Sequence, residues 1–394
     1  MTPIRLVLVM GFISLFADMA YEGARSITGP YMSILGASGF VVSFIAGFGE
    51  LLGYGLRIFF GYLSDRTKKY WAIAMTGYFI TLVAVPLTGL ANSWQMVAAL
   101  IFAERLGKAI RAPARDTIIS YAAKKVGSGY SYGLHEAMDQ IGGLSGPILI
   151  SIFFYFKLGY QVSFMLLVVP AIVAMALLFA AQRLIPHPER MEKGGDGDGE
   201  IKVTKNLWIY IVAVSLVGMG YSDFPLIAYH AKKHAIMADG LIPLLYSLTM
   251  VVSAVSALVF GRLFDRIGLL AVILGVACSM FFSWFAFLGG IRGIIVGLAL
   301  WGVGMGVQES IMRAAIANMM RSSARGAAFG VFNASYGLFS FLGSAIIGYL
   351  YDTSVIALVW FSVVSHLMAL ALLLYISGQR TFNHASSGKS ARPA

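Results

Sequence analysis

Apolar stretches of about 20 residues recur along almost the whole of this chain. A helix of that length crosses the hydrocarbon core of a bilayer and satisfies its own backbone polar groups there. The 394 residues are 59% hydrophobic and only 12% charged, far from the composition of soluble domains. The chain is therefore predicted to be an all-α polytopic membrane protein. Twelve spans are predicted, at about 4–24, 40–63, 71–91, 95–120, 131–156, 160–182, 206–229, 241–262, 268–288, 291–318, 327–350 and 354–377.

The second half of the chain repeats features of the first half about two hundred residues later. Such a repeat of six spans predicts two pseudosymmetric helical bundles related by an axis along the membrane normal. The pattern Gly-x-Leu-x-Asp-Arg ends an apolar stretch in each half, as Gly61, Leu63, Asp65, Arg66 and as Gly261, Leu263, Asp265, Arg266. Further pairs at offsets of 197 to 201 are Glu22 with Asp223, Arg115 with Arg313, Gly133 with Gly330, and Gly146 with Gly343.

One long polar segment, rich in glycine and charge, separates the two halves and is predicted to be a flexible linker. The predicted domains are a bundle over 1–182, a linker over 183–205, a bundle over 206–378 and a tail over 379–394. In proteins built from such repeats, substrate binds between the two bundles near the middle of the bilayer.

The distribution of basic residues predicts the orientation in the membrane. The formal net charge is +11. With twelve spans, the loops on one side hold eighteen Lys and Arg residues and those on the other side hold five. Because cytoplasmic loops carry the excess of positive charge, both termini are expected in the cytoplasm. Orientation in the membrane explains the excess of basic residues over acidic ones, and no nucleic-acid partner is predicted.

The fourth span carries a stripe of charge at helical spacing, and the fifth span supplies candidate partners that include His135. A charge that faced lipid would cost several kcal/mol, so the stripe is expected to face protein or a water-filled cavity. Across the two spans, equal numbers of cations and acids favour a paired network over a bare anion site. The cations are Arg105, Lys108, Arg111 and Arg115, and the acids are Glu104, Asp116, Glu136 and Asp139.

Two acids occupy matching positions in the two halves, Glu22 in the first span and Asp223 in the seventh. Asp18, Glu22 and Arg25 share one face of the first helix. A helix break is expected beside Asp223, because Pro225 follows it. Burial favours the protonated form of a carboxyl group, which makes both acids candidate proton or cation sites. Simple pairing of Glu22 with Arg25 is the alternative.

Other spans contain fewer charges. Glu309 and Arg313, four residues apart in the tenth span, are expected to be the second half's contribution to the cavity. Glu50 is expected to neighbour the stripe on the first helix, and His366 to be a core histidine. The single cysteine, Cys278, excludes an intramolecular disulfide, and no metal site is predicted.

These patterns resemble the major facilitator superfamily over the whole chain. Between the second and third helices, that family carries Gly-x-x-x-Asp-Arg followed by basic residues, here Gly61, Asp65, Arg66, Lys68 and Lys69. The resemblance implies a gate, in which the aspartates cap a neighbouring helix or pair with a cation. The gating residues expected from it are Gly61, Asp65, Arg66, Arg115, Asp116, Gly261, Asp265 and Arg266.

Two further patterns bear on the direction of transport. Residues 104–116, with the sequence ERLGKAIRAPARD, look like those of prokaryotic permeases often described as efflux proteins. Gly142, Gly146 and Pro147 match the core of a Gly-x-x-x-Gly-Pro motif associated with antiporters. Glycines of this kind allow close helix packing, and the proline can kink the helix.

The resemblance implies a secondary active transporter of a small organic solute that rocks two bundles in the inner (cytoplasmic) membrane. We expect proton-coupled efflux of an amphipathic compound by a monomer, with a proton as coupling ion and no cofactor. No Gly-x-x-x-x-Gly-Lys-Ser/Thr motif is present to bind ATP. Uptake or exchange of an anionic metabolite, recognised by Lys108, Arg111 and Arg115, is one alternative. A non-transporting membrane sensor is another, and no enzyme activity is predicted.

Overall fold

The computed structural model describes residues 3–186, 205–319 and 325–378. Helices account for nearly all of these residues, and no strand occurs among them. A short 3-10 turn, Thr88–Leu90, continues the third helix. In chain order the helices are α1 (Pro3–Ile34), α2 (Gly39–Thr67), α3 (Tyr70–Leu87), α4 (Trp94–Val126), α5 (Ser128–Tyr155), α6 (Gly159–Leu166), α7 (Val168–Leu184), α8 (Lys205–Gly220), α9 (Phe224–Lys233), α10 (Leu241–Ile267), α11 (Leu269–Ser279), α12 (Phe282–Leu288), α13 (Gly290–Glu309), α14 (Ile311–Met319), α15 (Arg325–Thr353) and α16 (Val355–Gly378).

Eleven helical segments of the described chain are long and apolar enough to cross a membrane. Four of them join two consecutive helices: α6 with α7, α8 with α9, α11 with α12, and α13 with α14. The helix α4 is also long enough, at 33 residues, but charges such as Glu104 and Arg105 lower its hydropathy. The predicted all-α fold with about twelve spans is confirmed.

The seventh span is broken where the sequence predicts a break. Helix α8 ends at Gly220, and α9 begins at Phe224 with Pro225 in its first turn. Asp223 lies between them with extended backbone and caps α9, because its carboxylate accepts the N–H of Phe224 at 2.8 Å. The cap and the proline together fix the start of α9.

Glycines bring helices into close contact at equivalent places in the two halves. In the first half, a Cβ at Gly142 or Gly146 would collide with the backbone of α1, at Leu15 and Met19. In the second half, a Cβ at Gly343 would collide with the backbone of α8 at Met219. The equivalent contacts of α5 with α1 and of α15 with α8 agree with the repeat seen in the sequence.

The described residues divide into two compact units. The first unit contains residues 3–186, 222–250 and 344–353, so α9 and the start of α10 belong to it. The second unit contains residues 205–221, 251–319, 325–343 and 354–378. Its core is almost purely apolar, and Tyr210 in that core donates its hydroxyl to the carbonyl oxygen of Met312 at 2.9 Å.

Substitution of Gly146 tests the contact between α1 and α5. We expect Gly146→Ala to lower the free energy of unfolding by about 1–3 kcal/mol, because the added methyl group overpacks the contact with Met19. Thermal unfolding of the detergent-purified protein measures the change. The control is Gly133→Ala on the same helix, where a Cβ meets nothing within 4 Å. Equal destabilisation by the two changes would contradict the close contact.

Candidate functional site

The helices of the first unit run between two ends, which we call distal and proximal. The distal end is where α1 is followed by α2, at residues 34–39. The proximal end is where α2 gives way to α3, at residues 67–70. Gly36, with a φ of 79°, makes the distal turn, and Lys68, with a φ of 55°, makes the proximal one.

Charged side chains run along the interior of the first unit between these ends, and we call them the charged column. Five cations and six carboxyl groups form it, contributed by α1, α2, α4, α5 and the residue before α9. Removing such groups from water is costly unless each charge has a partner. The members of the charged column are Asp18, Glu22, Arg25, Glu50, Glu104, Arg105, Lys108, Arg111, Arg115, Asp139 and Asp223.

Arg25 on α1 joins three elements at the distal part of the charged column. Its Nη2 atom donates to Asp223 Oδ1 at 2.7 Å and lies 3.6 Å from Glu50 Oε1. Its Nη1 atom lies 3.9 Å from Glu22 Oε1 and donates to the Tyr21 hydroxyl at 3.3 Å. The carboxylate of Asp223 thus accepts hydrogen bonds both from Arg25 and from the N–H of Phe224 in the first turn of α9.

Glu22 has a partner on a third element of the same unit. The Tyr246 hydroxyl of α10 donates to Glu22 Oε2 at 2.6 Å. The two matching acids of the sequence repeat therefore lie in one cluster, each bonded to a different helix. Asp223 accepts a hydrogen bond from the guanidinium of Arg25, and Glu22 accepts one from the phenol hydroxyl of Tyr246.

Arg105 lies beside this cluster and is almost wholly buried. It lies 2.9 Å from Glu50, 3.4 Å from Glu104, and its Nη1 donates to the Tyr21 hydroxyl at 2.7 Å. Gly49 makes the approach possible, since a Cβ there would lie 3.0 Å from Arg105 Cγ. Tyr21 therefore bridges Arg25 and Arg105.

Closer to the proximal end, the column continues along α1 and α4. Arg111 is 1% exposed and lies 3.7 Å from Asp18, with its guanidinium 4.4 Å from the centre of the Tyr78 ring. Lys108 places its ammonium group 4.0 Å from the centre of the Tyr21 ring. Cation–π contacts with these aromatic rings thus offset part of the cost of removing the two cations from water.

A chain of polar contacts joins α1, α5 and α4 at the proximal part of the charged column. Ser14 Oγ lies 3.0 Å from His135 Nε2, and His135 Nδ1 lies 3.5 Å from Asp139 Oδ2. The same carboxylate oxygen is 3.9 Å from Arg115, which also bonds Asp116 at 2.9 Å. His135, expected as a partner from the fifth span, therefore contacts both α1 and its own helix.

Not every predicted site residue joins the column. Glu136 is exposed on α5 and accepts from Gln140 at 3.1 Å. Among the α4 cations whose side chains are described, Arg105, Lys108, Arg111 and Arg115, none pairs with it. Glu309 is the last residue of α13, and the side chain of Arg313 lies outside the described residues. Pro147 lies within the continuous helix α5.

The two copies of the repeated motif have the same local structure. They end α2 and α10, and both are followed by a residue with positive φ, 55° at Lys68 and 58° at Gly268. Asp65 and Asp265 are exposed, and the described residues supply neither with a hydrogen bond or an ion pair. Arg66 and Arg266 are also exposed, whereas Gly61 and Gly261 are partly buried. A gating role for these residues stays a prediction.

Two tyrosines complete the site without having been predicted for it. Tyr21 occupies the same helical face as Asp18 and Arg25, three and four residues away, so the stripe on α1 contained the signal. Tyr246 comes from α10 and has no such signal, because its contact with Glu22 depends on how separate helices pack.

Hydrogen bonds and close contacts to backbone groups hold the distal end of the first unit together, and we call them the distal closure. Asp352 accepts the N–H groups of Gly39 and Phe40 at 3.0 and 2.8 Å, which caps α2 from the end of α15. Ser43 donates to the carbonyl oxygen of Ser344 at 2.7 Å. The Tyr229 hydroxyl donates to the carbonyl oxygen of Ala37 at 3.0 Å. A Cβ at Gly29 would collide with the backbone at Pro225.

Replacement of Arg25 tests whether the charged column stabilises the fold as a paired network. We expect Arg25→Gln to lower the free energy of unfolding by about 3–5 kcal/mol, because it leaves Asp223 and Glu50 as partly buried acids without this partner. Adding Asp223→Asn should recover part of the loss, and a double-mutant cycle in detergent measures that coupling.

Lys232 offers a matched control for that cycle. It pairs with Asp239 at 2.6 Å, but the two side chains are 28% and 29% exposed. Lys232→Gln should change the free energy of unfolding by only about 0–1 kcal/mol. An Arg25→Gln effect no larger than the effect of this control would contradict the paired network.

Comparisons with known proteins agree with this architecture. The Major Facilitator Superfamily model matches residues 8–344 and 224–393. An uncharacterised protein of Mycobacterium tuberculosis is 36% identical over 379 residues, covering 94% of this chain and 93% of that protein. An uncharacterised MFS-type transporter of Methanocaldococcus jannaschii is 27% identical over 364 residues, covering 88% and 89%.

Solved transporter structures share the fold at low sequence identity. A variant of the nucleoside transporter NupG superposes with a TM-score of 0.76 and 12% identity, covering 94% of this chain and 99% of that one. A POT family transporter in complex with a thioalcohol-conjugated peptide gives 0.75 and 11%, covering 97% of each chain. A bacterial homologue of the iron transporter ferroportin gives 0.68 and 14%, covering 96% and 100%. The chain therefore belongs to the Major Facilitator Superfamily, as a multi-pass secondary transporter of a small molecule and not an enzyme.

Proposed function

We propose that this transporter couples proton binding at Glu22 and Asp223 to the export of an amphipathic organic compound. The observation that carries the proposal is that both acids bond across helices inside one unit. Asp223 bonds Arg25 of α1 at 2.7 Å, and Glu22 of α1 bonds Tyr246 of α10 at 2.6 Å. These bonds lie next to the distal closure, so protonation and closure share the same helices.

Protonation changes these bonds in a definite direction. A proton on Asp223 removes the negative charge that holds the guanidinium of Arg25, so the ion pair becomes a weaker neutral hydrogen bond. A proton on Glu22 likewise removes the anion that accepts from Tyr246. Because α9 begins at Asp223, loss of the pair releases the start of that helix from α1. Proton binding therefore favours opening of the distal closure.

As part of this proposal, we assign both termini to the cytoplasm from the excess of basic residues in the loops on their side, and the protein to the inner membrane from the prokaryotic resemblance. The distal closure then lies on the outer side. A proton arriving from outside meets the acids next to that closure. The exposed aspartates Asp65 and Asp265 then belong to the cytoplasmic side, where their motif is expected to act as the second gate of alternating access.

The balance of the charged column favours a cationic or neutral solute over an anion. Arg111 lies 3.7 Å from Asp18, and Arg115 has two carboxylates within 4 Å. The other cations of the column likewise lie beside a carboxyl group or an aromatic ring. Uptake or exchange of an anionic metabolite would have to displace these pairs, so it stays the second candidate. Export itself rests on the resemblance of residues 104–116 and of the motif at Gly142.

Transport by proteoliposomes under an imposed pH gradient tests the proposal. The probes are ethidium, as an amphipathic cation, and citrate, as an organic anion. We expect the gradient to accelerate ethidium transport by at least about tenfold, a change of about 1.4 kcal/mol in barrier. The variant Glu22→Gln with Asp223→Asn should lose this acceleration but keep exchange of ethidium at equal pH.

Glu136→Gln is the control, since it makes the same chemical change at an exposed position outside the column. Ethidium transport that ignores the gradient, or a double variant that still responds to it, would contradict coupling through these acids. Gradient-driven transport of citrate alone would favour the second candidate.

A further inference from the structure

Lys108 differs from the other four cations of the charged column, because no acid pairs with it. Each arginine lies within reach of a carboxylate, the closest being at 2.7 Å for Arg25, 2.9 Å for Arg105, 3.7 Å for Arg111 and 2.9 Å for Arg115. Within the part of the chain that the structure describes, the ammonium group of Lys108 has neither an ion pair nor a hydrogen bond. Its three donors are therefore available to a further group.

The packing of α4 directs Lys108 towards α1. A Cβ at Gly107 would collide with the backbone of α3 at Gly77, so this side of α4 lies against α3. Lys108 follows one residue later, about 100° around the helix axis. Its ammonium group lies 4.0 Å from the centre of the Tyr21 ring. The hydroxyl of Tyr21 accepts from Arg105 at 2.7 Å, which holds the ring, and with it the ammonium group, in place.

The position of Lys108 in its helix shows what its charge faces. Lys108 lies near the middle of the 33-residue helix α4 and is partly exposed, whereas Arg111 is buried. Arg111 has an enclosed Nη1 atom without a hydrogen bond, but the nitrogen of Lys108 is not enclosed in this way. A charge that faced lipid at this depth would be strongly unfavourable. The ammonium group of Lys108 therefore faces a water-filled space.

Two acids of α1 flank the same tyrosine. Asp18 and Glu22 lie three residues before and one residue after Tyr21, and their side chains are 19% and 14% exposed. Both carboxylates attract the ammonium group of Lys108 from beyond ion-pair distance. Glu104 also attracts it, and Arg105 repels it. The surroundings of Tyr21 thus offer one cation without an acid partner and two partly exposed acids.

This pattern of charge selects among the classes of small solute. A purely anionic solute would pair with Lys108 but would bring its charge close to the carboxylates of Asp18 and Glu22. A purely cationic solute would be attracted by these acids and repelled by Lys108. A zwitterion can place its carboxylate at Lys108 and its ammonium group towards the acids, so both of its charges meet a complementary one.

We propose that Lys108 binds the carboxylate of a zwitterionic solute, whose amine lies towards Asp18 and Glu22. Tyr21 is a positioning residue in this site, because its ring sets where the ammonium group of Lys108 stands. The amphipathic character of the solute rests on the proposed function, and the pair of opposite charges on the solute is the new element.

Three fluorescent probes with the same dansyl group separate the charges of the solute. Nε-dansyl-lysine is a zwitterion, dansylcadaverine is the same molecule without the carboxylate, and dansylaminohexanoate is the same molecule without the amine. Fluorescence titration of the protein in nanodiscs at one fixed pH, with empty nanodiscs as background, gives a Kd for each. We expect the wild type to bind the zwitterion at least about tenfold more tightly than either other probe, because only the zwitterion satisfies both charges.

Replacing Lys108 should remove the preference for the carboxylate and nothing else. We expect Lys108→Gln to weaken binding of the zwitterion at least about tenfold without weakening that of dansylcadaverine. Lys108→Arg keeps the charge and should keep the preference. Lys157→Gln makes the same chemical change in an exposed turn and should leave all three Kd values as in the wild type. Lys108→Met, which keeps the aliphatic stem on Tyr21, replaces Lys108→Gln if the latter does not fold.

The outcomes separate this inference from the proposed function. Equal wild-type affinity for the zwitterion and dansylcadaverine would overturn the carboxylate site and leave proton-coupled export standing. Tightest binding of dansylaminohexanoate would overturn the zwitterion and favour the anionic second candidate. An equal loss for all probes in Lys108→Gln would show a structural role and overturn the site. Binding of no probe would overturn the site together with the amphipathic solute. Failure of proton coupling would leave these titrations unchanged, since they involve no gradient.

Discussion

The structure depends on the requirement that a charge buried among apolar helices keeps an opposite charge beside it. Arg25 meets this requirement by contacting three acids from three elements, of which Asp223 is the nearest at 2.7 Å. That pair fixes the start of α9 and the rotation of α1. Gly29, four residues further along α1, then faces the backbone at Pro225. The position of the distal closure thus follows from the pairing of one guanidinium.

The same requirement makes the arrangement responsive to protons. A bond that exists because two charges neutralise each other weakens when one of them is neutralised by a proton instead. Asp223 both caps α9 and pairs with Arg25. A change in its charge therefore alters contacts of both α1 and α9. Hydrogen bonds to backbone groups, such as those that Asp352 accepts at the start of α2, lie beyond it at the distal end. The charge pair joins α1 to the start of α9, and Tyr229 of α9 belongs to the distal closure through its bond to Ala37 after α1.

Much of this could be predicted from the sequence, and the rest depends on packing. Spacing alone placed Asp18, Glu22 and Arg25 on one face of α1, and Pro225 indicated the helix break. The partners were less predictable, because complementary charge does not say which helix supplies it. Arg25 pairs with Asp223, 198 residues away, and Glu136 bonds Gln140 of its own helix and none of the four cations predicted for it. Tyr246 joins the site only because α10 packs beside Glu22 of α1.

Hydrogen–deuterium exchange in lipid nanodiscs tests the central claim most directly. The amides to follow are those of Gly39 and Phe40, which Asp352 holds in the distal closure. If neutralising the acids releases that closure, Glu22→Gln with Asp223→Asn should exchange these amides at least about tenfold faster than wild type, since exchange follows the free energy of local opening. Equal protection in the wild type and the double variant would contradict the link between proton binding and the distal closure.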